Sequence, residues 1–231
     1  VCVMPDKMSQ EKIDGLRAYG AEVHVAPTDV EPEDPRSYYS VAARLVDEIP
    51  GAFSPNQYAN PANPEAHYRT TGPEIWDQTD GEIDVLVTGV GTGGTITGAA
   101  QYLKEQKPAL QVVGVDPVGS IYTARSDAEV HTYLTEGVGE DFWPETFDAT
   151  LVDRFLQVSD AASYGMARRL ATAEGVLVGS SGGMAVVGAI EVAAEVPDNL
   201  VVVILPDSGR SYVSKVFNDQ WISEQGLAEG S

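Results

Sequence analysis

A glycine-rich turn between an apolar segment and an amphipathic one restricts the folds open to this chain. Residues 89–98 are GVGTGGTITG; they follow the apolar run DVLVT and lead into TITGAAQYLKEQ, which is typical of a helix. The first six residues have the spacing G-x-G-x-x-G of a phosphate-binding strand-to-helix turn. Glycine lets the backbone approach an anion, and the N–H groups of a helix start favour negative charge. The segment therefore predicts an anion site.

Segments typical of strands and helices alternate along the chain. The predicted strands are 1–5, 22–27, 52–54, 83–88, 111–116, 153–158, 176–179 and 200–205. The predicted helices are one that starts after Ser9 and stops at Gly20, with Ile13, Leu16 and Tyr19 on one apolar stripe, and 35–47, 63–70, 73–78, 94–106, 160–174, 183–195 and 211–224. This order predicts an α/β fold with a doubly wound, mostly parallel sheet.

Proline and glycine mark a boundary in IPGAFSPN, residues 49–56. We predict that residues 1–55 are the remainder of a smaller α/β domain and that residues 56–231 form a larger domain carrying the glycine turn. The opening VCVMP is typical of a strand and starts inside the α/β pattern without an initiator methionine, so we expect an N-terminally truncated chain. The ending GLAEGS is predicted to be disordered.

Composition argues against several functions. The formal net charge of −21, from 35 acidic and 14 basic residues, disfavours a nucleic-acid partner because phosphate backbones bind Lys and Arg. One cysteine, Cys2, precludes an internal disulfide, and no Cys or His cluster has metal-site spacing. With neither a membrane-length apolar span nor a signal peptide, we expect a soluble, cytoplasmic protein without a membrane partner. The acidity is typical of a salt-rich, halophilic cytoplasm.

Three predicted strands end in small hydroxyl and glycine residues, in VTGVGTGGT, VLVGSSGG and VILPDSG. Ligands of parallel sheets bind outside the carboxyl ends of the strands, so all three strand ends are expected to line one pocket.

The pattern is compatible with two kinds of ligand. Asp116, 22 residues beyond Gly94, suits the ribose of a dinucleotide and hence an NAD-dependent oxidoreductase. Hydroxyls of Thr92, Thr95 and Thr97 suit a terminal phosphate monoester.

Several windows together carry a family resemblance. They are GVGTGGTITG, NQYANPANPEAHYRTTGPEIW, TEGVGEDF, VLVGSSGG and ILPDSGRSY. In this order they resemble the fold-type II pyridoxal-phosphate enzymes of the cysteine synthase and cystathionine β-synthase family, with the tryptophan synthase β-like fold. NPANPEAHYRTTGPEIW is closer to the cysteine synthase branch, whereas VMPDKMSQEKIDGLRAYGAEV, VDPVGS and LPDSGRSYVSKVFNDQW are closer to the cystathionine β-synthase branch.

The resemblance implies pyridoxal 5′-phosphate as cofactor and assigns site residues by position. The cofactor phosphate is expected at Gly91, Thr92, Gly93, Gly94 and Thr95. Ser181 matches the serine at the pyridine nitrogen, and Pro206 and Asp207 are expected nearby. Gln57, Tyr58 and Gly137 match residues of the amino-acid substrate site.

The Schiff-base lysine of the family is expected upstream of Val1, so the resemblance implies that these residues alone are inactive. The lysines present do not match its sequence context and are predicted to be solvated charges. They are Lys7, Lys12, Lys104, Lys107 and Lys215.

The resemblance further implies β-replacement on L-serine or an activated serine with a thiol, in a homodimer. Serine plus homocysteine giving cystathionine is preferred; the alternative is cysteine from O-acetylserine or O-phosphoserine and sulfide. Glu140 stands where one branch carries Tyr and the other a small residue, and it suits either the ammonium group of homocysteine or a solvated acid. His67 is expected to hold a loop, and Trp76 and Trp221 to be packing anchors.

Overall fold

The computed structural model describes residues 1–31 and 33–227. Strands and helices alternate, as predicted. Their order is β1 (Cys2–Pro5), α1 (Gln10–Ala18), β2 (Val23–Ala26), α2 (Tyr38–Glu48), α3 (Ala62–Arg69), α4 (Thr71–Gln78), β3 (Val85–Gly89), α5 (Gly94–Gln106), β4 (Gln111–Pro117), β5 (Arg154–Val158), α6 (Asp160–Ala173), α7 (Ser180–Glu195), β6 (Val201–Val203) and α8 (Asp219–Glu224). Short 3-10 helices cover Asp127–Glu129, Ala149–Leu151 and Gly209–Tyr212.

The strands form two parallel sheets. β1 pairs with β2 in a two-stranded sheet, and the larger sheet has the order β5-β4-β3-β6 with parallel neighbours throughout. The carboxyl ends of its strands therefore share one edge, which is the edge where ligands bind in such sheets. The predicted mostly parallel α/β fold is confirmed.

Alternate residues of β3 face two different layers of the core. Leu86 packs with Ile96 and Leu103 of α5, whereas Val85 and Val87 pack in a cluster with Met184 of α7. Helices thus cover both faces of the larger sheet, which accounts for the unbroken apolar character of its central strands. A third cluster, around Tyr164 and Tyr212, packs the C-terminal segment against α6.

Three predicted elements differ from the structure. Residues 52–54 are exposed and form no strand, since they lie between Gly51, with φ +78°, and Pro55. Residues 176–179 form only an isolated antiparallel bridge from Val178 to Ser208, because α7 starts immediately afterwards. The helix predicted at 211–224 is split, because Asn218 caps a new helix by accepting the N–H of Gln220 at 3.0 Å.

The first helix follows its signals only in part. Ile13 is buried, and Gly20 ends the helix with a left-handed φ of +88°. Tyr19 is 93% exposed and does not join the apolar stripe. Ser9 occupies the N-cap position, but its hydroxyl donates to Ser211 O at 2.5 Å instead of capping the helix, so this residue joins α1 to the C-terminal segment.

The smaller sheet lies before residue 55 and the larger one after it, yet the division into two domains at that point stays a prediction. Most of the predicted disordered tail, residues 228–231, lies outside the described residues. No helix in the described ranges combines the length and apolar character needed to cross a membrane.

Candidate functional site

A cavity of about 1270 Å³ opens at the carboxyl end of β3. The nine predicted cofactor and substrate residues all line it: Gly91, Thr92, Gly93, Gly94, Thr95, Ser181, Gln57, Tyr58 and Gly137. They come from the turn after β3, the start of α7 and two loops, so the fold gathers segments far apart in sequence. Their individual roles are still predictions.

The glycine turn leaves no room for side chains. A Cβ on Gly93 would lie 2.4 Å from Phe147 Cβ, and one on Gly94 would lie 1.9 Å from Asn63 Oδ1. Gly93 is the N-cap of α5, has a left-handed φ of +81°, and provides no side-chain cap. The first-turn N–H groups of α5 therefore lack the usual capping oxygen and suit an anion in the cavity.

Side chains from other segments fix the backbone and threonines of this turn. Tyr122 Oη donates to Gly91 O at 2.6 Å, and Thr146 Oγ1 donates to Thr92 O at 2.6 Å. Asn63 Nδ2 donates to Thr92 Oγ1 at 2.9 Å. The sequence did not identify these three side chains. Only Asn63 lies in a matched motif, while Tyr122 and Thr146 become neighbours through the fold.

His67 holds Thr95 of the turn, in agreement with its expected structural role. Its Nε2 lies 3.0 Å from Thr95 Oγ1, and its Nδ1 lies 2.8 Å from Thr71 Oγ1. Burial lowers the pKa of His67, so the ring is neutral at pH 7 and bridges two hydroxyls without adding charge. Thr97 differs from the prediction, because its hydroxyl accepts the Asp148 N–H at 2.9 Å and does not line the cavity.

Two serines begin α7, and the first turn of this helix contains no acidic residue. Ser180 and Ser181 open α7 and are buried, and Ser181 lines the cavity together with Pro206. Asp207 does not line it; this carboxylate accepts a hydrogen bond from Tyr212 Oη. A neutral hydroxyl is therefore the α7 group offered to a ligand.

The sequence profile of the family described as "Pyridoxal-phosphate dependent enzyme" matches residues 1–207, most of the chain. The chain belongs to the pyridoxal-phosphate-dependent enzyme family. Enzymes of this family use pyridoxal 5′-phosphate, whose phosphate monoester and ring nitrogen suit the glycine turn and the hydroxyl of Ser181. The residues present therefore fit the cofactor.

Curated relatives cover almost the whole chain. It is 47% identical to "Cystathionine beta-synthase" of Oryctolagus cuniculus over 99% of this chain and 42% of that protein. It is 41% identical to "Cystathionine beta-synthase" of Saccharomyces cerevisiae over 98% of this chain and 47% of that protein. The chain thus spans less than half the length of these relatives.

A solved structure gives the same fold. It is the O-acetylserine dependent cystathionine beta-synthase from Helicobacter pylori, with a TM-score of 0.84 and 38% identity over 92% of this chain and 68% of that chain. The likeness in sequence and fold supports the resemblance inferred from the motifs.

The dinucleotide interpretation is not supported in this pyridoxal-phosphate family member. Asp116 is fully buried at the end of β4, where Thr123 Oγ1 donates to its Oδ2 at 2.7 Å, and it is absent from the cavity lining. A ribose in the cavity would not reach a carboxylate enclosed in this way. The aspartate has a structural position instead.

The segment of Gln57 and Tyr58, which is predicted to bind the amino-acid substrate, is linked to the glycine turn by hydrogen bonds. Asn63 Nδ2 donates to Gln57 O at 2.8 Å as well as to Thr92. Tyr58 Oη lies 3.1 Å from Tyr38 Oη, and burial first, then neighbouring acids, raises the pKa of Tyr58 to about 12. Tyr58 is therefore a neutral hydroxyl at the cavity wall at pH 7.

Gly137 sits on a loop anchored by a buried charge. The preceding residue, Glu136, is fully buried, and its carboxylate lies 3.0 Å from Lys12 Nζ and 2.9 Å from Lys215 Nζ. A Cβ on Gly91 would lie 2.9 Å from Gly137 O, so this loop packs on the glycine turn. No local sequence pattern pointed to Glu136, because its partners lie 124 and 79 residues away along the chain.

The prediction that the lysines are solvated charges is wrong for three of the five, Lys7, Lys12 and Lys215. Lys12 and Lys215 pair with buried Glu136, and Lys7 lines the cavity with its Nζ 4.3 Å from the Tyr133 ring centroid. Lys104 and Lys107 form ion pairs nearer the surface, with Asp153 and Asp84. The fold supplies acidic or aromatic partners that local sequence does not reveal.

Glu140 is likewise not a solvated acid. It lines the cavity, where burial, followed by the charge of Asp141, raises the pKa of its carboxyl to about 8. Trp76 and Trp221, the two tryptophans expected to be anchors, both pack against the core clusters at partial burial.

Proposed function

We propose that the intact protein to which this chain belongs performs a β-replacement, in which a thiol displaces the β-substituent of L-serine or an activated serine. The observation that supports this function is one cavity lined by the glycine turn, Ser181 and the segments of Gln57 and Gly137. Pyridoxal 5′-phosphate, when bound, supplies the electron sink that β-elimination needs.

The chain's own groups have distinct tasks in this proposal. The N–H groups of Gly91 to Thr95 and the start of α5 hold the phosphate end of the cofactor. The neutral hydroxyl of Ser181 meets the ring nitrogen, which favours loss of a β-substituent over transamination more than a carboxylate partner would. The backbone of Gly137, free of a side chain, leaves room for the amino-acid substrate beside the turn.

The Schiff-base lysine is proposed to come from outside residues 1–231. Four of the five lysines of the chain pair with acids, and Lys7, which lines the cavity, does not stand in the sequence context expected for the Schiff-base lysine. Intact protein is therefore the material for activity measurements, and these residues alone are expected to be inactive.

Two product assignments compete. Relatives at 41% to 47% identity carry the name cystathionine beta-synthase, so we favour cystathionine from homocysteine. The similar solved structure is described as O-acetylserine dependent, which makes O-acetylserine a second candidate for the first substrate. Sulfide in place of homocysteine would make the protein a cysteine synthase.

Product analysis separates these possibilities. Intact protein is incubated with serine or O-acetylserine, each with homocysteine or sulfide, and products are identified by mass spectrometry. Cystathionine from either first substrate supports the favoured assignment. Formation of cysteine from sulfide, without any cystathionine, would overturn it. If no product forms that depends on pyridoxal phosphate, β-replacement itself is overturned.

We also propose that the protein is a homodimer in a salt-rich cytoplasm. The family resemblance is the reason to propose the dimer, and the formal net charge of −21, whose self-repulsion is screened at high ionic strength, is the reason to propose the salt-rich cytoplasm. Sedimentation in low and molar KCl tests this: a dimer that persists only in high salt agrees with the proposal, whereas a monomer at all salt concentrations contradicts it.

A further inference from the structure

A lysine and a glutamate line the same cavity without forming an ion pair with each other. Lys7 follows β1, whereas Glu140 follows the loop that contains Gly137. Neither side chain forms a hydrogen bond or ion pair with any other described residue; Lys7 Nζ only lies over the Tyr133 ring at 4.3 Å. The cavity therefore offers one free cation and one free carboxyl to a ligand.

The backbone of Glu140 is fixed although its carboxyl is not engaged. Its N–H donates to Ser120 Oγ at 3.1 Å, and its carbonyl accepts the Ile121 N–H at 2.9 Å. The side chain is thus attached to an ordered segment at the cavity wall. A held backbone with an unengaged carboxyl is suited to ligand recognition, because little ordering remains to be done on binding.

Both side chains are poorly solvated, so each gains from a ligand group of complementary charge. Burial lowers the pKa of Lys7, and Glu140 is the first of the acids that oppose this effect. Burial also raises the pKa of Glu140 to about 8, so the carboxyl holds a proton at pH 7. An arriving ammonium group would take the place of that proton, which leaves to solvent.

Another cationic side chain of the cavity lining already forms an ion pair with a protein carboxylate. Arg36 also lines the cavity, but its guanidinium lies 2.7 Å from the Asp34 carboxylate. Because Arg36 is already paired, Lys7 is the better group for a ligand carboxylate.

We propose that Lys7 and Glu140 bind the amino-acid portion of the thiol substrate, Lys7 its α-carboxylate and Glu140 its α-ammonium group. This proposal rests on the proposed β-replacement and adds the determinant of thiol choice. Hydrosulfide has no ammonium for Glu140, so the pair selects an amino-acid thiol such as homocysteine. It also gives a role to Glu140, for which the sequence alone left two interpretations open.

Equilibrium binding tests the pair independently of turnover. Binding of L-homocysteine to intact, cofactor-loaded protein is measured by calorimetry for wild type, Glu140→Gln and Lys7→Met. We expect each substitution to raise the dissociation constant by at least about tenfold, since hydrogen bonds to charged groups are strong enough for that change. Glu145→Gln, an exposed acid of the same loop, and Lys104→Met are the matched controls and should bind like wild type.

Lys7→Arg keeps the positive charge and should retain most of the binding, which separates charge recognition from a folding defect. Absence of homocysteine binding by wild type, or equal binding by wild type, Glu140→Gln and Lys7→Met, overturns the pair. The test of β-replacement is separate, because it uses product formation by wild-type protein and not binding by the variants. Wild-type protein that binds homocysteine but makes no product would contradict the β-replacement and not the pair.

Discussion

Asn63 Nδ2 donates a hydrogen bond to Thr92 Oγ1 at a distance of 2.9 Å. The same nitrogen donates to Gln57 O at 2.8 Å. One amide therefore fixes the position of the glycine turn relative to the segment of Gln57. The turn is proposed to hold the cofactor phosphate, and that segment is proposed to bind the amino acid. This contact joins the two halves of the site through a residue that touches neither ligand in the proposal.

Replacing Asn63 with Ala is expected to weaken cofactor binding. Two hydrogen bonds are lost and Gln57 O and Thr92 Oγ1 lose a donor, which costs roughly 1–3 kcal/mol and corresponds to about a tenfold to hundredfold change in affinity. The measurement is titration of cofactor-free intact protein with pyridoxal 5′-phosphate, followed by cofactor absorbance. Asn199→Ala, in an exposed loop, is the control. Equal affinities for all three proteins would show that Asn63 does not position the turn.

Gly94→Ala should abolish cofactor binding while the protein stays folded. The new Cβ would lie 1.9 Å from Asn63 Oδ1, so the turn or α3 must move. Gly15→Ala is the matched control, because a Cβ there meets nothing within 4 Å and alanine stabilises a helix interior by roughly 1 kcal/mol. Titration with the cofactor and circular dichroism check both variants. Wild-type affinity in Gly94→Ala would contradict close packing of the turn.

Lys215→Met is expected to destabilise the protein by about 3–5 kcal/mol, because it leaves the buried Glu136 carboxylate with one cation fewer. The two Nζ atoms lie 3.0 Å and 2.9 Å from that carboxylate in the wild-type protein. Urea denaturation measures the free energy of unfolding. For comparison, Arg17→Met removes an exposed pair with Asp14, 3.7 Å apart, and should change stability by less than about 1 kcal/mol. Similar losses of stability in both variants would mean that the buried Glu136 pair contributes no more to stability than an exposed ion pair does.

Asp116 should make the protein less stable as the pH rises from 4 to 7. Burial raises the pKa of its carboxyl from 3.8 to about 6, and Oδ1 has no hydrogen-bond partner among the described residues. Between these values the folded state binds more protons than the unfolded state, so this group lowers the free energy of unfolding by roughly 3 kcal/mol across that window. Asp116→Asn removes the titration.

The stability difference between Asp116→Asn and wild type, measured by urea denaturation at pH 4 and pH 7, should therefore shift in favour of the variant at pH 7. The amide keeps the shape of the side chain and can still accept from Thr123, so the comparison isolates the charge. A difference that is the same at both pH values would mean that Asp116 ionises normally in the folded protein.

The α/β alternation, α5 and the composition of the cavity were predictable from the sequence because local patterns encode them. The glycine turn needs glycine, and its neighbours Ser181 and Gly137 lie in recognisable motifs. The Glu136 ion pairs were not predictable, since Lys12 and Lys215 meet it only after the chain has folded. For the same reason Lys7 was predicted to be a surface charge, and the sequence left Glu140 open between a ligand-binding group and a solvated acid, until the fold placed both at the cavity.

Errors in element boundaries also have local physical causes. Residues 52–54 have β-compatible side chains but no strand beside them, and pairing partners decide whether a strand forms. Residues 211–224 were predicted as one helix, but residues 213–217 form turns and the extended Asn218 caps a short helix that starts at Asp219. Tyr19 fits the helical spacing of α1, but no surface packs against it and it is 93% exposed.

A crystal structure of the intact protein with pyridoxal 5′-phosphate bound would examine the proposed site itself. We expect the phosphate oxygens to accept hydrogen bonds, at roughly 3 Å, from the backbone N–H groups and hydroxyls of Gly91 to Thr95, and the pyridine nitrogen to lie at a similar distance from Ser181 Oγ. A phosphate bound away from the turn after β3, or a ring nitrogen that faces a group other than Ser181, would contradict the assignment.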